Sequence, residues 1–169
     1  TDKGKCYWLK VYDIPQGGRA ARWRAIVNLI GCEPNEKVEA FVSVKEFDDE
    51  HYIVMATEKG IVKKTVLSAY GKPRKGGIYA IEIRDGDKLI EARISNGEHD
   101  ILLGTSEGKS IRFSENDIRP SGRKTMGVKG IKLGSEKDRL VGMLVVRREG
   151  TVLVATEKGM GKRTDVIQY

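Results

Sequence analysis

The sequence has few of the features that membrane, secreted or metal-dependent proteins need. No apolar run approaches the roughly 20 residues required to cross a bilayer, and no charged and apolar leader opens the chain. A cytoplasmic location follows by default. Cys6 and Cys32 are predicted to be buried free thiols, and His51 and His99 lie in acidic sequence without zinc-ligand spacing. We therefore expect no metal site and no cofactor in this region.

Catalytic motifs are also missing. There is no GxSxG, no Walker A sequence, no HExxH and no GxGxxG after a predicted strand. The acidic cluster at 48–50 lacks the ligand spacing and the glycine of a calcium loop, so we interpret it as a solvated loop. None of the six tyrosines stands in a catalytic setting. The sequence predicts no catalytic residue, and the chain by itself is not expected to be an enzyme.

What the sequence does contain is a recurring four-residue turn. It reads TDKG, TEKG, TSEG and TEKG, and ends at Gly4, Gly60, Gly108 and Gly159. A glycine that closes a short hairpin adopts positive φ without a Cβ clash. Because the spacing is close to fifty residues, the chain is predicted to consist of repeated β units, as in a propeller.

Each repeat reads as four strands in the same order. Apolar runs such as YIVMAT and DILLGT precede the turn and suit strands buried on both faces. A basic strand, a glycine-rich basic loop and two further strands follow it. The sequence therefore predicts an all-β, propeller-like β-pinwheel of about three four-stranded blades plus a partial fourth, arranged as an open arc. The units span 1–50, 51–98 and 99–149, with the partial fourth at 150–169, in what is expected to be a single fragment of a longer protein.

The third and fourth strands follow the basic loop of each unit. The segments AIVNLI (25–30), YAIEI and KGIKL are predicted as third strands. The segments KVEAFVSV (37–44), KLIEARIS and RLVGMLVV are predicted as fourth strands. NLIGCEP and VIQY could each hold a helical turn, and no longer helix is expected.

Positive and negative charge alternate in phase with the repeat. The net charge is +7 and the pI is near 9.4. Residues 57–77 carry six bases against one acid, 78–100 carry six acids against three bases, and 108–132 carry seven bases against two acids. If equivalent loops share one edge, they form a curved positive band suited to a polyanion.

The residues predicted to bind DNA phosphates lie in or beside the basic loops. They are Arg19, Arg22, Arg24, Lys63, Lys64, Lys72, Arg74, Lys75, Arg112, Arg119, Arg123, Lys124, Lys129, Lys162 and Arg163. Taken singly, each is equally well a solvated surface residue. Aromatic residues make up only 7% of the chain, which disfavours stacking on single strands. Since no recognition helix is predicted, the set favours duplex DNA bent along a basic rim through phosphate contacts.

Four segments carry a family resemblance. PQGGRAARWRAIVNLI, YIVMATEKGIVKKTVL, TMGVKGIKL and ATEKGMGKRT resemble the carboxy-terminal domain of DNA gyrase A, over essentially the whole chain. The resemblance implies a pinwheel of about six blades that wraps DNA, so that an ATP-dependent bacterial type IIA topoisomerase introduces negative supercoils. It also implies gyrase B as a partner, no membrane contact and a nucleoid-associated cytoplasmic location. The ATP and magnesium sites and the catalytic tyrosine would lie outside this region.

Two features depart from that family. The gyrase box, similar to QRRGGKG, is absent, and KPRKGG at 72–77 is at most a degenerate form of it. The related topoisomerase IV protein therefore remains an alternative. Trp23 stands where the family motif has glycine, and is expected either to pack against the rim loop or to contact DNA. A further alternative is a propeller-type module whose basic loops dock an acidic protein partner.

Overall fold

The computed structural model describes residues 1–18, 25–147 and 149–169, and strands dominate it as predicted. The strands are β1 (Lys5–Cys6), β2 (Tyr52–Thr57), β3 (Ile61–Val66), β4 (Ile78–Tyr79), β5 (Leu89–Ser95), β6 (Asp100–Thr105), β7 (Ser110–Ser114), β8 (Val128–Lys129), β9 (Leu140–Val146), β10 (Thr151–Ala155) and β11 (Gly161–Asp165). One α-helical turn, α1, spans Val27–Ile30, and 3-10 segments span Val11–Asp13, Leu67–Tyr70, Glu115–Asp117 and Val166–Gln168. Within these ranges no helix is long and apolar enough to cross a membrane. Cys6 and Cys32 are free thiols, as predicted, but both are partly exposed and not buried as predicted.

All four TxxG turns close in the same way. Each glycine has a φ between 73° and 83°, and its N–H donates to the threonine carbonyl at 2.9 or 3.0 Å. The threonine hydroxyl accepts the N–H of the residue after the glycine, at 3.2 or 3.3 Å. The predicted hairpin is confirmed for the turns ending at Gly60, Gly108 and Gly159, which join the paired strands β2 and β3, β6 and β7, and β10 and β11. Counting from the turn glycine also identifies equivalent residues in different units.

The sheets do not follow the boundaries of the repeats. In the second blade the strands lie in the order β5-β2-β3-β8, and in the third in the order β9-β6-β7. Strand β8 belongs to the third unit, yet it pairs with β3 through Ile61 opposite Lys129 and Val62 opposite Val128. Strand β4 likewise leaves the second unit and pairs with β1 of the first. The second and third units therefore each donate a short strand to the blade before them.

Two strands predicted for the first unit are wrong. Residues 27–30 form α1, and residues 37–44 form no strand. The fourth strands of the next two units, β5 and β9, pair with β2 and β6, whereas no such partner lies beside 37–44 in the described part of the chain. A segment without a neighbouring strand has no ladder to satisfy its backbone groups. The helical turns within NLIGCEP and VIQY are confirmed by α1 and by the 3-10 segment at 166–168.

Two apolar clusters lie on opposite sides of β2. Ile53 and Met55 face a cluster that includes residues of the first unit, and Val54 and Ala56 face a cluster that includes residues of the third. All four side chains are at most 8% exposed, as predicted for a strand buried on both faces. Blades therefore pack face to face through their strands, and the loops are left at the edges.

Candidate nucleic-acid interface

The basic loop of the second unit, residues 71–77, ends beside β1 of the first unit. It ends at Gly77, whose φ is +72°. A Cβ at that position would lie 2.8 Å from the ring of Tyr7 and 3.0 Å from the carbonyl oxygen of Cys6, so the backbone approaches as closely as glycine permits. The cations of this loop are all exposed: Lys72, Arg74 and Lys75. The loop is thus fixed on the neighbouring unit while its cations face solvent.

The basic loop of the third unit, residues 119–127, occupies the equivalent place on the second blade. Gly127 ends it with a φ of +95°, and a Cβ there would lie 2.4 Å from the carbonyl oxygen of Val62. Val62 and Cys6 each stand two residues after a turn glycine. The cations of this loop are the exposed Arg119 and Lys124 and the half-buried Arg123. The two loops therefore lie at equivalent places on successive units, and each carries exposed cations.

Three further predicted residues lie on strands. Lys129 is exposed on β8, and Lys162 and Arg163 are exposed on β11. Their exposure agrees with a surface role. Arg19, Arg22, Arg24 and Trp23 lie outside the described residues.

Lys63 does not face solvent, so its predicted place on the surface is wrong. Its side chain is 0% exposed, and Nζ donates to the carbonyl oxygens of Ala80, at 2.8 Å, and of Arg123. Burial, and to a smaller extent the Arg123 guanidinium, lowers the pKa of Lys63 to about 8 against an opposing effect of Glu82. The physical reason for the burial is that β8 and the loop 119–127 cover β3, which is not an edge strand.

Lys64 is buried as well, and its predicted exposure is also wrong. Its Nζ lies 3.0 Å from Oε2 of Glu115, a side chain that is 0% exposed. Glu115 also accepts hydrogen bonds from the Ser95 hydroxyl, at 2.6 Å, and the His99 N–H, at 2.8 Å. Burial would raise the pKa of Glu115, but these hydrogen bonds and the Lys64 ammonium outweigh it and hold that pKa below its ordinary value. Lys64 thus closes a buried ion pair between the second and third blades.

One side chain in each of the first three units joins that unit to the next, four residues after the turn glycine. The Trp8 indole N–H donates to the Tyr70 carbonyl at 3.1 Å, the Lys64 ammonium to the Glu115 carbonyl at 3.3 Å, and the Arg112 guanidinium to the Val166 carbonyl at 2.9 Å. Because Arg112 also pairs with Asp100 at 2.8 Å, it is held at a joint between blades, contrary to its predicted role at the surface. The sequence did not reveal these joints, because the three positions hold different residue types. Tryptophan, lysine and arginine share only a side-chain N–H. Counting from the turn glycines aligns them.

The family model described as "DNA gyrase C-terminal domain, beta-propeller" matches residues 1–22, 51–96, 99–147 and 150–169. The chain belongs to this family. DNA gyrase A of Chlamydia muridarum is 45% identical over 100% of this chain, and that of Klebsiella oxytoca is 43% identical over 100% of it. The alignments cover 20% and 19% of those proteins, so the chain spans about a fifth of the length of the curated relatives it matches. The predicted gyrase A carboxy-terminal domain is confirmed.

Two solved structures share the pinwheel fold of this gyrase domain. A structure of the DNA gyrase A C-terminal domain has a TM-score of 0.82 at 26% identity, covering 98% of this chain and 53% of that chain. The crystal structure of the C-terminal domain of DNA topoisomerase IV has a TM-score of 0.87 at 24% identity, covering 99% and 52%. At that identity the likeness to topoisomerase IV shows the fold alone, whereas the relatives matched by sequence above are gyrase A proteins.

Proposed function

We propose that this domain binds duplex DNA without sequence preference along its basic loops, wraps it, and so supports negative supercoiling by a type IIA topoisomerase. The observation that carries the proposal is the equivalent placement of loops 71–77 and 119–127 on successive units, each with exposed cations. Membership of the gyrase family supports the same function. A duplex that meets one loop would meet the next in the same way as it curves along the arc.

Phosphate contacts would supply the affinity. Lysine and arginine side chains that neutralise phosphates release condensed counterions, and this gain does not depend on base sequence. Bending a site of 20 to 30 base pairs costs on the order of 1 to 6 kcal/mol. Contacts repeated on successive blades would offset that cost in small steps, so the rim favours a curved duplex over a straight one.

We place the chemistry of strand passage in other parts of the full-length protein. This domain would contribute binding and geometry, while the catalytic tyrosine, ATP and magnesium would belong to the rest of the parent chain and to gyrase B. The assembled enzyme would act at the nucleoid in the bacterial cytoplasm. No catalytic or cofactor-binding role is assigned to a residue of this chain.

Two matched triple variants test the proposal. One replaces Lys72, Arg74 and Lys75 of the second loop by alanine. The control replaces Lys3, Lys59 and Lys158, which are exposed and each precede a turn glycine, by alanine. Both variants remove three positive charges from the chain. Fluorescence anisotropy with a random-sequence duplex of about 30 base pairs measures their affinities.

The proposal predicts that the loop variant loses about tenfold or more in affinity at ~100 mM salt and that the turn variant loses much less. Equal losses would show that net charge alone attracts DNA, which contradicts a dedicated rim. If the unmodified chain does not bind DNA but binds a polyglutamate peptide through the loop 71–77, the alternative of a module that docks an acidic protein is correct instead.

A further inference from the structure

The Lys63 ammonium joins the second and third units. Lys63 lies on β3 of the second unit and donates at 2.8 Å to the carbonyl oxygen of Ala80, the residue after β4, which pairs with the first unit. It also donates to the carbonyl oxygen of Arg123, in the basic loop of the third unit. A charged side chain that is 0% exposed cannot reach a phosphate. A buried ammonium persists only where hydrogen bonds compensate its lost hydration.

An open cavity of about 450 Å³ lies between the loop 119–127 and β3. Backbone hydrogen bonds attach the loop at Ser121, through its N–H at 2.9 Å, and at Thr125, through its carbonyl at 3.0 Å. Arg123 lies midway between these two anchors, and the Lys63 ammonium binds its carbonyl. Lys63 therefore fixes the middle of a loop that spans a cavity.

We propose that Lys63 is a positioning residue for DNA binding, which holds the loop 119–127 against the second blade so that Arg119 and Lys124 face a phosphate backbone. This inference rests on the proposed function. Tyr7 stands at the equivalent position of the first unit, three residues after the turn glycine. Gly77, which ends the basic loop of the second unit, packs against the Tyr7 ring. The third residue after the turn thus supports the next unit's basic loop in both places.

The charge of Lys63 makes this attachment depend on pH. The groups that face it are the Arg123 guanidinium from the loop, Glu82 from the segment after β4, and the Tyr70 hydroxyl, which also reaches the Ala80 carbonyl at 3.4 Å. Releasing the loop would expose Lys63 and return its pKa from about 8 toward the ordinary 10.5, so the attached loop becomes more favourable as pH rises through about 8.

Lys63→Met and the matched exposed control Lys75→Met separate positioning from direct contact. Affinity for a random duplex is measured between about 50 and 200 mM salt at pH ~7. For Lys63→Met we expect a loss of about 3- to 10-fold at every salt concentration with an unchanged slope of log affinity against log salt, because Lys63 itself contacts no phosphate and the bound loop still makes its own phosphate contacts. For Lys75→Met the slope should become shallower by about 0.9.

Two measurements keep the inference open to refutation if the variant folds poorly or DNA binding is absent. Between pH ~7 and ~9 the free energy of opening at the Ser121 N–H, measured by hydrogen exchange, should rise in the unmodified chain, and a constant value would overturn the inference without any variant. In the absence of DNA, hydrogen exchange at the Ser121 N–H should be faster in Lys63→Met than in the unmodified chain.

The possible outcomes separate the role of Lys63 from the proposed function. A slope for Lys63→Met that is shallower by about 0.9, or an unchanged affinity while the unmodified chain binds DNA, would refute positioning by Lys63 and leave the proposed function intact. Failure of the unmodified chain to bind DNA would refute the proposed function. In that case the hydrogen-exchange rate at the Ser121 N–H alone tests whether Lys63 holds the loop. The same rate in Lys63→Met and in the unmodified chain would show that it does not.

Discussion

At the scale of the residue, what a lysine does here depends on what covers it. Lys63 and Lys64 are adjacent on β3 and buried beneath the strand and loop donated by the third unit, where they bind carbonyl and carboxylate oxygens. Lys72 and Lys75 lie a few residues further on, in an exposed loop. The first pair therefore supports joints between units, and the second pair remains available to a polyanion.

The free energy of unfolding is expected to rise with pH between about 8 and 10.5. Lys63 has a pKa of about 8 in the folded chain against an ordinary 10.5, so the unfolded chain binds more protons in this interval and stability increases. The increment is on the order of 3 kcal/mol. Urea unfolding of the unmodified chain and of Lys63→Met at pH ~7.5 and ~10 tests it. The same rise in both proteins would contradict a buried, charged Lys63.

Two glycines with positive φ are expected to differ in their tolerance of alanine. At Gly127 a Cβ would lie 2.4 Å from the Val62 carbonyl, whereas at Gly108, with a φ of +83°, nothing lies within 4 Å. Gly108→Ala should cost only backbone strain, about 1 kcal/mol. Gly127→Ala should cost about 1 to 3 kcal/mol more, because the loop must move away from β3. Equal urea midpoints would show that the loop is not in close contact there.

At the scale of the element, the sequence predicts features that depend on residues close together in the chain. It does not predict features that depend on residues far away in the chain. The turn at Gly60 follows from positive φ and neighbouring hydrogen bonds, and the exposed loop 71–77 follows from glycine and proline, so both were predictable. The failure of residues 37–44 to form a strand depends on whether a partner strand lies beside them. The burial of Lys63 depends on β8, more than sixty residues away in the chain. Alternation within a segment carries no information about such partners.

The buried pair between Lys64 and Glu115 is expected to stabilise the joint between the second and third blades. Glu115→Gln leaves the Lys64 ammonium buried without a counter-charge, which should cost about 3 to 5 kcal/mol. Asp117→Asn changes an exposed carboxylate in the same 3-10 segment and should stay within about 0.5 kcal/mol. Urea unfolding at pH ~7 compares the two, and equal effects would contradict the pair's role.

Because of the same pair, the free energy of unfolding is expected to depend on pH in the acid range. Because the folded-state pKa of Glu115 lies below its ordinary value of 4.5, its contribution is present above about pH 4.5 and is lost as pH falls through the lower, folded-state value. Unfolding free energies measured from pH ~6 to ~3 should therefore fall more steeply for the unmodified chain than for Glu115→Gln. Parallel curves would show that Glu115 does not carry a lowered pKa.

At the scale of the whole molecule, repetition would turn a weak local contact into an extended one. Both described basic loops lie on the unit before their own, at equivalent residues, so exposed cations recur in the second and third units. A duplex that follows them would gain a similar number of phosphate contacts with every unit, and each contact would weaken with salt. On this account the two loops act as parts of one surface.

The most direct test of whether the two loops form one DNA surface is the salt dependence of DNA affinity. It is measured in variants in which one loop, or both, lose their positive charges. One variant replaces Lys72, Arg74 and Lys75 by alanine, a second replaces Arg119, Arg123 and Lys124, and a third combines all six changes. The account predicts that each single-loop variant has a shallower slope of log affinity against log salt, by up to about 2.7 for three contacts, and that the combined variant shows the sum of both reductions. An unchanged slope in either single-loop variant would contradict a shared DNA surface. A combined variant with the same slope as a single-loop variant would contradict it as well.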